Sequence, residues 1–471
     1  MTERRAVVIG AGISGLTAAY EYLRLRPGSS VTVYEASDRV GGLLKSSTLG
    51  GAVESADVGA EASLYLRPET RGLAEDLGLE AVYPSREHSS QLFVGGRMQA
   101  MPKGTLMGVP GDPRALKGIL SSEQIARAED EQLTPAGSGD VSIGDFVAAR
   151  LGEAVVDTVL DPLIGGVYSG RCRDLSMQAT VPALLDAYRT GTSVTETVRT
   201  TLAARTAAAG ANVPGTQEKA APPVFMTLRG GISVLVSALA DEVRSCGGQI
   251  VTSARAVSAQ RGDDGWRVLF ADGEQALADD IIIAVPAYAA AEILRAAAPQ
   301  AAQLLADVPY ASCAVITAVI DLAEPLSGSG FLIPPTENRF IKASTYASNK
   351  WPWLDAVLPD GRAVVRMSVG RYGDAPDAWA QLDDAELASR AWDDWLSITG
   401  RNDIAAHLEV QRWQDSLPQF TPGHFDRVAD IDRATSETPG LALVGNVYEG
   451  VGLPACISRA QNEIHRIGEK G

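Results

Sequence analysis

Three glycines carry the clearest chemistry in this sequence. Gly10, Gly12 and Gly15 stand in the pattern Gly-x-Gly-x-x-Gly within Gly10-Ala11-Gly12-Ile13-Ser14-Gly15. In that spacing the first permits a tight turn, the second lets the backbone approach a pyrophosphate, and the third lets a helix close onto a strand. Glu35 follows 20 residues after Gly15, where its carboxylate can accept hydrogen bonds from ribose hydroxyls. Helix N–H groups left without intrahelical partners would face the anion.

Such a constellation works only if regular elements hold it. Ala6-Val7-Val8-Ile9 is a compact β-branched run, the mark of a buried parallel strand, and it leads straight into Gly10. Leu16, Ala19, Tyr20 and Leu23 then repeat at helical spacing up to Pro27-Gly28, where a helix must stop. Val31-Thr32-Val33-Tyr34 reads as a second strand with Glu35 at its carboxyl end. The spacing therefore predicts a complete βαβ unit built around a dinucleotide.

Other chemistries have little to work with. The chain of 471 residues has 4 cysteines and 4 histidines. Cys172, Cys246, Cys313 and Cys456 lie far apart with no Cys-x-x-Cys, and no Cys/His pair has metal-ligand spacing. No metal site is expected, and a Ser/His/Asp triad has few candidates. Lys+Arg 41 against Asp+Glu 58 leaves a net charge of −17, which argues against a nucleic-acid surface. It also argues against general attraction to anionic lipid, though a local basic patch could still dock. The amino terminus lacks the long apolar core of a signal peptide. The longest apolar run, Ile281 to Ala291, contains Pro286 and falls short of the roughly 18 residues that span a bilayer. No transmembrane segment is expected, and the reading is of a soluble cytoplasmic protein with membrane contact left open. At roughly 150 residues per domain the length allows about three folding units.

After Glu35 the chain reads Ala36-Ser37-Asp38-Arg39-Val40-Gly41-Gly42. Glu-Ala-x-x-Arg-x-Gly-Gly behind a Gly-x-Gly-x-x-Gly unit resembles the FAD-containing amine oxidase and porphyrinogen oxidase superfamily. Met101-Pro102-Lys103-Gly104, the stretch Asp161 to Gly170, Leu228-Arg229-Gly230-Gly231, Lys350-Trp351-Pro352 and Glu449-Gly450-Val451-Gly452-Leu453-Pro454 extend the likeness along nearly the whole chain. They are similar to bacterial porphyrinogen oxidases, most of all those of Gram-positive bacteria and actinobacteria. The resemblance implies FAD as cofactor and an α/β fold, α+β overall. Its parts would be a discontinuous Rossmann-like FAD-binding domain of the glutathione-reductase and amine-oxidase type, a mixed α+β substrate domain and a helical insertion.

Late strand-like segments, among them Ile281 to Val285 and Leu441 to Gly445, support a discontinuous arrangement independently. The expected FAD-binding domain comprises residues 1–85, 225–299 and 429–471. A mainly helical insertion is expected at 86–224, carrying a substrate cavity or membrane-facing surface, and a substrate-binding domain at 300–428. Pro214-Gly215 and Pro222-Pro223 mark a loop between Gly210 and Pro223 that reads as mobile.

The resemblance carries cofactor contacts onto Gly10, Ala11, Gly12, Ile13, Ser14, Gly15, Glu35, Ala36, Gly42 and Leu43. It carries further ones onto Gly59, Ala60, Glu61, Ala62, Val257, Trp413, Val451, Gly452 and Leu453. Where the family's second loop usually holds Gly-Pro, this chain has Gly59-Ala60. Arg67, in a segment otherwise rich in small and apolar residues, matches a basic position near the family's active site. Val167 and Tyr168 match a cavity-lining stretch. Lys103, Arg171 and Lys350 are weaker cation candidates, read as surface charges. His424 is read as structural. No catalytic side chain stands out, because a flavin would itself be the oxidant.

The expected activity is FAD- and oxygen-dependent oxidation of coproporphyrinogen III to coproporphyrin III, with release of hydrogen peroxide, in bacterial haem synthesis. A ferrochelatase of the coproporphyrin pathway is the expected partner. Open alternatives are protoporphyrinogen IX oxidation by the same chemistry, a flavin amine oxidase or carotenoid desaturase, and a non-catalytic flavoprotein. The low aromatic content, 6%, makes an aromatic amine cage less attractive.

Overall fold

A computed structural model describes residues 4–210, 223–373 and 379–469. Most of the Gly210–Pro223 loop lies outside the described residues. The expected βαβ unit is present: strand β1 (Arg5–Ile9), helix α1 (Ile13–Leu25) and strand β2 (Ser30–Tyr34), with β1 and β2 parallel. Helix α2 (Val234–Ser245), strand β3 (Gln249–Val251), strand β4 (Asp280–Ile283), strand β5 (Leu441–Leu443) and helix α3 (Leu453–Glu469) come from far along the chain. They complete a five-stranded parallel sheet of order β3-β2-β1-β4-β5.

The alternation within β1 shows why this sheet must be covered on both sides. Ala6 and Val8 join a core with Leu16, Tyr22, Leu239, Ile457 and Ile464, from α1, α2 and α3. Val7 and Ile9, one residue out of step, join a second core with Trp266, Phe270, Ile293 and Leu305. That second layer contains an antiparallel meander, Ala256–Gly262, Gly265–Phe270 and Gln275–Ala278. Side chains of a strand alternate between faces, so an unbroken apolar run needs two apolar layers to receive it.

A seven-stranded sheet forms the other half, in the order 404–418, 310–321, 362–369, 343–346, 330–332, 91–94, 97–100. Its last two strands lie within 86–224, the stretch expected to be mainly helical. Gln91–Val94 and Arg97–Ala100 form a hairpin through Gly95 and Gly96, both at positive φ, and Leu92 and Phe93 are buried by it. The helical part is confined to the chain between this hairpin and residue 210, with its own core around Phe146, Val159, Leu160 and Leu184.

One buried polar knot ties the first strand to β4. The Asp280 carboxylate accepts Arg4 Nε at 3.0 Å, a second Arg4 nitrogen at 2.8 Å and the Tyr22 hydroxyl at 2.6 Å. Tyr22→Phe removes one donor from a carboxylate that has no exposed surface. We expect it to lower unfolding stability by about 1.5–3 kcal/mol, the range for a hydrogen bond to a charged group. Urea titration of variant and wild type measures this; a loss below about 0.5 kcal/mol would refute it.

Candidate functional site

The glycine turn is built where no side chain fits. Gly10 has φ +103, and a Cβ there would lie 2.6 Å from the Ala284 carbonyl oxygen just after β4. A Cβ on Gly15 would lie 1.9 Å from the Gly10 carbonyl oxygen, so α1 and the turn touch backbone to backbone. Helix α1 begins at Gly12 with no side-chain cap and no acidic residue in its first turn. Its opening N–H groups are thus left for an external acceptor, and the helix dipole favours an anion.

A second helix starts beside it. Helices α1 and α3 pack together, and Cys456 in the first turn of α3 interacts with the side chain of Ser14 in the first turn of α1. Burial pushes the Cys456 thiol up to about 11, so it sits there neutral. Gly450, at φ +148, Val451 and Gly452 form the approach to α3, while Leu453 is buried. Val451 packs against the helical part's core, so the glycine loop bridges two halves of the molecule.

Glu35 sits at the carboxyl end of β2. Its carboxylate accepts the Ala11 N–H at 2.8 Å, the Ser37 N–H at 2.9 Å and the Ser37 hydroxyl at 2.8 Å. It therefore braces the glycine turn. Ala36 is exposed beside it. Arg39 donates to the carbonyls of Val40, Gly42 and Leu44, and the Gly41 N–H reaches Ala11 O at 2.8 Å. These bonds draw Gly42 so close that a Cβ on it would lie 3.3 Å from Gly12 Cα.

Val257 belongs to the same end. Backbone bonds from Ser253 to Ser37 O and from Ala254 to Glu35 O lead the chain to it. The register slips between Ala256 and Ser258, so Val257 stands outside the ladder on an exposed bulge above an open depression with Glu292 and Arg295. An uncapped helix start, a turn with no room for side chains at Gly10 and Gly15, and a carboxylate at the end of β2 fit a dinucleotide.

The second half of the site is the Gly59 loop. A Cβ on Gly59 would lie 2.2 Å from Leu43 O and 2.9 Å from Trp413 Cζ2, which brings these three predicted residues together. The Ala60 N–H donates to Leu43 O at 3.2 Å, and the exposed side of the loop is Ala60 itself. Glu61 points inward: Lys350 Nζ donates to Oε1 at 2.5 Å and Arg366 to Oε2 at 2.6 Å. Burial acts to raise its pKa, but Lys350 and Arg366 override it and hold the carboxyl down at about 2. Ala62 packs among Val53, Trp351 and Leu354.

The substrate candidates separate. Arg67 is exposed at the start of the helix Pro68–Asp76, its guanidinium held by Glu69, and it feels the charge of Glu449 from the α3 approach loop. Val167 is 46% exposed, whereas Tyr168 is buried, donating to Ala179 O at 3.2 Å with its ring against Phe420. Burial pushes the Tyr168 phenol up to about 12. Lys103 is exposed, and Arg171 pairs with Asp161 at 3.1 Å. Lys350 departs from its reading as a surface charge: it is partly buried and paired with Glu61, which compensates it. Arg366 escaped the reading altogether. An arginine amid the alternating strand Ala363-Val364-Val365-Arg366-Met367 was the available signal.

His424 lies under the α3 approach. It is fully buried, stacked on Phe420 with ring centres 4.0 Å apart, and its Nε2–H donates to Val447 O at 2.7 Å. Burial pushes its pKa from 6.5 down to about 4.

The chain matches the model of the family described as flavin containing amine oxidoreductase over residues 13–463. It is 34% identical to a coproporphyrinogen III oxidase of Mycobacterium leprae, with 99% of each chain covered. It is 30% identical to one of Propionibacterium freudenreichii, covering 98% of this chain and 90% of the relative. Among solved structures it resembles a protein of Exiguobacterium sp. 255-15 described as a protoporphyrinogen oxidase, with TM-score 0.84, 25% identity and complete coverage of both chains.

Two outcomes follow from this geometry. Gly15→Ala forces a Cβ into the Gly10 carbonyl, so the purified variant should retain less than about a tenth of the wild-type flavin absorbance per chain; retention near the wild-type level would contradict the cradle. His424 stays neutral in the fold, so its contribution is complete above pH 6.5 and is lost as pH falls through about 4. The melting temperature of His424→Gln should therefore fall less steeply than that of wild type between those values, and parallel curves would remove His424 from the acid response.

Proposed function

Starting from a chain that belongs to the flavin containing amine oxidoreductase family, we propose that it oxidises coproporphyrinogen III to coproporphyrin III in bacterial haem synthesis. The observation that carries this reading is the full-length likeness to a coproporphyrinogen III oxidase, joined to a dinucleotide cradle that continues into the Gly59 loop. FAD, when bound, supplies a two-electron oxidant, and molecular oxygen is the proposed final acceptor, leaving as hydrogen peroxide.

The chain's own residues then have restricted tasks. The N-terminal turns of α1 and α3 and the Glu35 carboxylate hold the dinucleotide. Leu43, Gly59 and Trp413, which meet at one point, would hold the flavin together with the Val451–Leu453 loop. Arg67 meets a substrate carboxylate by exchanging its contact with Glu69, and Val167 offers apolar surface to the macrocycle. Tyr168 supports Val167 from within the helical core. A flat apolar ring bearing carboxylates needs this pairing of apolar surface with a few cations. The need is sharper here because the whole chain carries −17 while the substrate is itself an anion.

Protoporphyrinogen IX is the competing substrate, favoured by the name given to the Exiguobacterium structure. A location in the cytoplasm and passage of product to a ferrochelatase of the coproporphyrin pathway complete the proposal. Among the described residues no helix is long and apolar enough to cross a membrane.

Anaerobic mixing with coproporphyrinogen tests the reading directly: the flavin absorbance should bleach, and a flavin that stays oxidised would sink it. The two porphyrinogens are separated by kcat/KM. Arg67 is exposed, so its contact is worth about 1 kcal/mol, and reversing its charge should raise KM for coproporphyrinogen at least about fivefold. Arg67→Glu should affect protoporphyrinogen, with fewer carboxylates, less; equal effects would exclude a carboxylate contact.

A further inference from the structure

The Gly59 loop is anchored from below by charge. Arg366 lies on the strand Arg362–Val369, inside the seven-stranded sheet, and reaches across to the glycine loop of the other half. One terminal nitrogen donates to the Gly59 carbonyl at 2.5 Å and the other to Glu61 at 2.6 Å. Its Nε is buried and has no hydrogen-bond partner among the described residues. Lys350 reaches the same carboxylate from the segment after the strand Ala343–Tyr346, its Nζ 5.0 Å from the centre of the Trp351 ring. The side chains of Glu61, Lys350 and Arg366 are 17%, 19% and 10% exposed, so water screens them little.

Two cations meet one carboxylate, and among the described residues no second carboxylate comes within ion-pair distance of either cation. Asp57, two residues before Gly59, also feels Arg366. Its oxygens are engaged elsewhere, accepting the N–H groups of Ile232 at 2.8 Å and Ser233 at 3.1 Å beside the start of α2. Gly59 has no room for a side chain, since a Cβ there would strike Leu43 O and Trp413. The cluster's charge is therefore bonded directly to the loop, at the Gly59 carbonyl and the Glu61 carboxylate.

We propose that Glu61, Lys350 and Arg366 are positioning residues of the flavin site, Arg366 holding the Gly59 loop in place and the surplus cation of the cluster raising the reduction potential of the flavin on that loop. The inference rests on the flavin reading of the site and deepens it. Two-electron reduction of a flavin at neutral pH takes up one proton, so the ring system gains one negative charge. A nearby buried cation favours that form and a nearby carboxylate opposes it. A mere structural staple would show no such dependence on sign.

The experiment is a charge series read as the midpoint potential of the bound flavin, by equilibration against a redox dye without substrate. Glu61→Gln should shift the potential upward and Lys350→Met downward, and the double variant should return close to wild type. Arg366→Lys, which keeps the charge but gives up the two-pronged hold on Gly59 and Glu61, should change the potential little and weaken FAD binding several-fold. Shifts in the same direction for Glu61→Gln and Lys350→Met, or no shift in Glu61→Gln, overturn the electrostatic role. Unweakened FAD binding in Arg366→Lys overturns the anchoring role. Should Lys350→Met fail to fold, the sign of the Glu61→Gln shift alone decides. Because no porphyrinogen is present, an inert porphyrinogen would count against the proposed substrate and leave this ordering intact.

Discussion

A backbone approach too close for any side chain governs the centre of this molecule. The turn after β1 passes the residue following β4 so closely that a Cβ on Gly10 would stand 2.6 Å from the Ala284 carbonyl. Residues more than 270 positions apart must therefore be neighbours before the dinucleotide cradle exists, as the register of Ile9 with Ile283 requires. The Arg4–Asp280–Tyr22 knot holds the opposite end of the same strand pair. With both ends pinned, α1 has one possible seat, and its open N-terminus faces the crevice at the carboxyl ends of the strands, where ligands of such sheets bind.

Charge then links the two halves. An excess of acid leaves a surface hostile to an anionic ligand, and at Glu61 two cations outnumber one carboxylate. Isolated buried ion pairs repay their desolvation poorly. The Glu61 cluster is better understood as a device that specifies geometry, since it crosses from the Gly59 loop to a strand of the other sheet. The C-terminal glycine loop performs a parallel task with apolar contacts, Val451 meeting the helical core while Leu453 meets the core beneath the parallel sheet.

The local features were legible because their signals are local. Strand β1, helix α1 and strand β2 follow from apolar periodicity and from Pro27-Gly28, and Glu35 from its spacing. The hairpin at residues 91–100 was missed because a two-glycine turn with short flanking strands carries little periodicity. Val167 and Tyr168 show how the fold separates adjacent side chains. Their motif marked the segment, but the turn of the helix decided that Val167 faces outward and Tyr168 inward.

By itself the sequence determined the chemistry of the first fifty residues, the flavin-family character, and the absence of Cys/His metal spacing, since each depends on residue types at short separations. Only the tertiary structure decided that Lys350 pairs with Glu61, that Arg366 reaches Gly59, and that Trp413 closes on the same glycine. The physical reason is that the state of a charge depends on its partners, and the partners of Lys350 and Arg366 lie about three hundred residues away along the chain. No window of sequence contains both ends of such a contact.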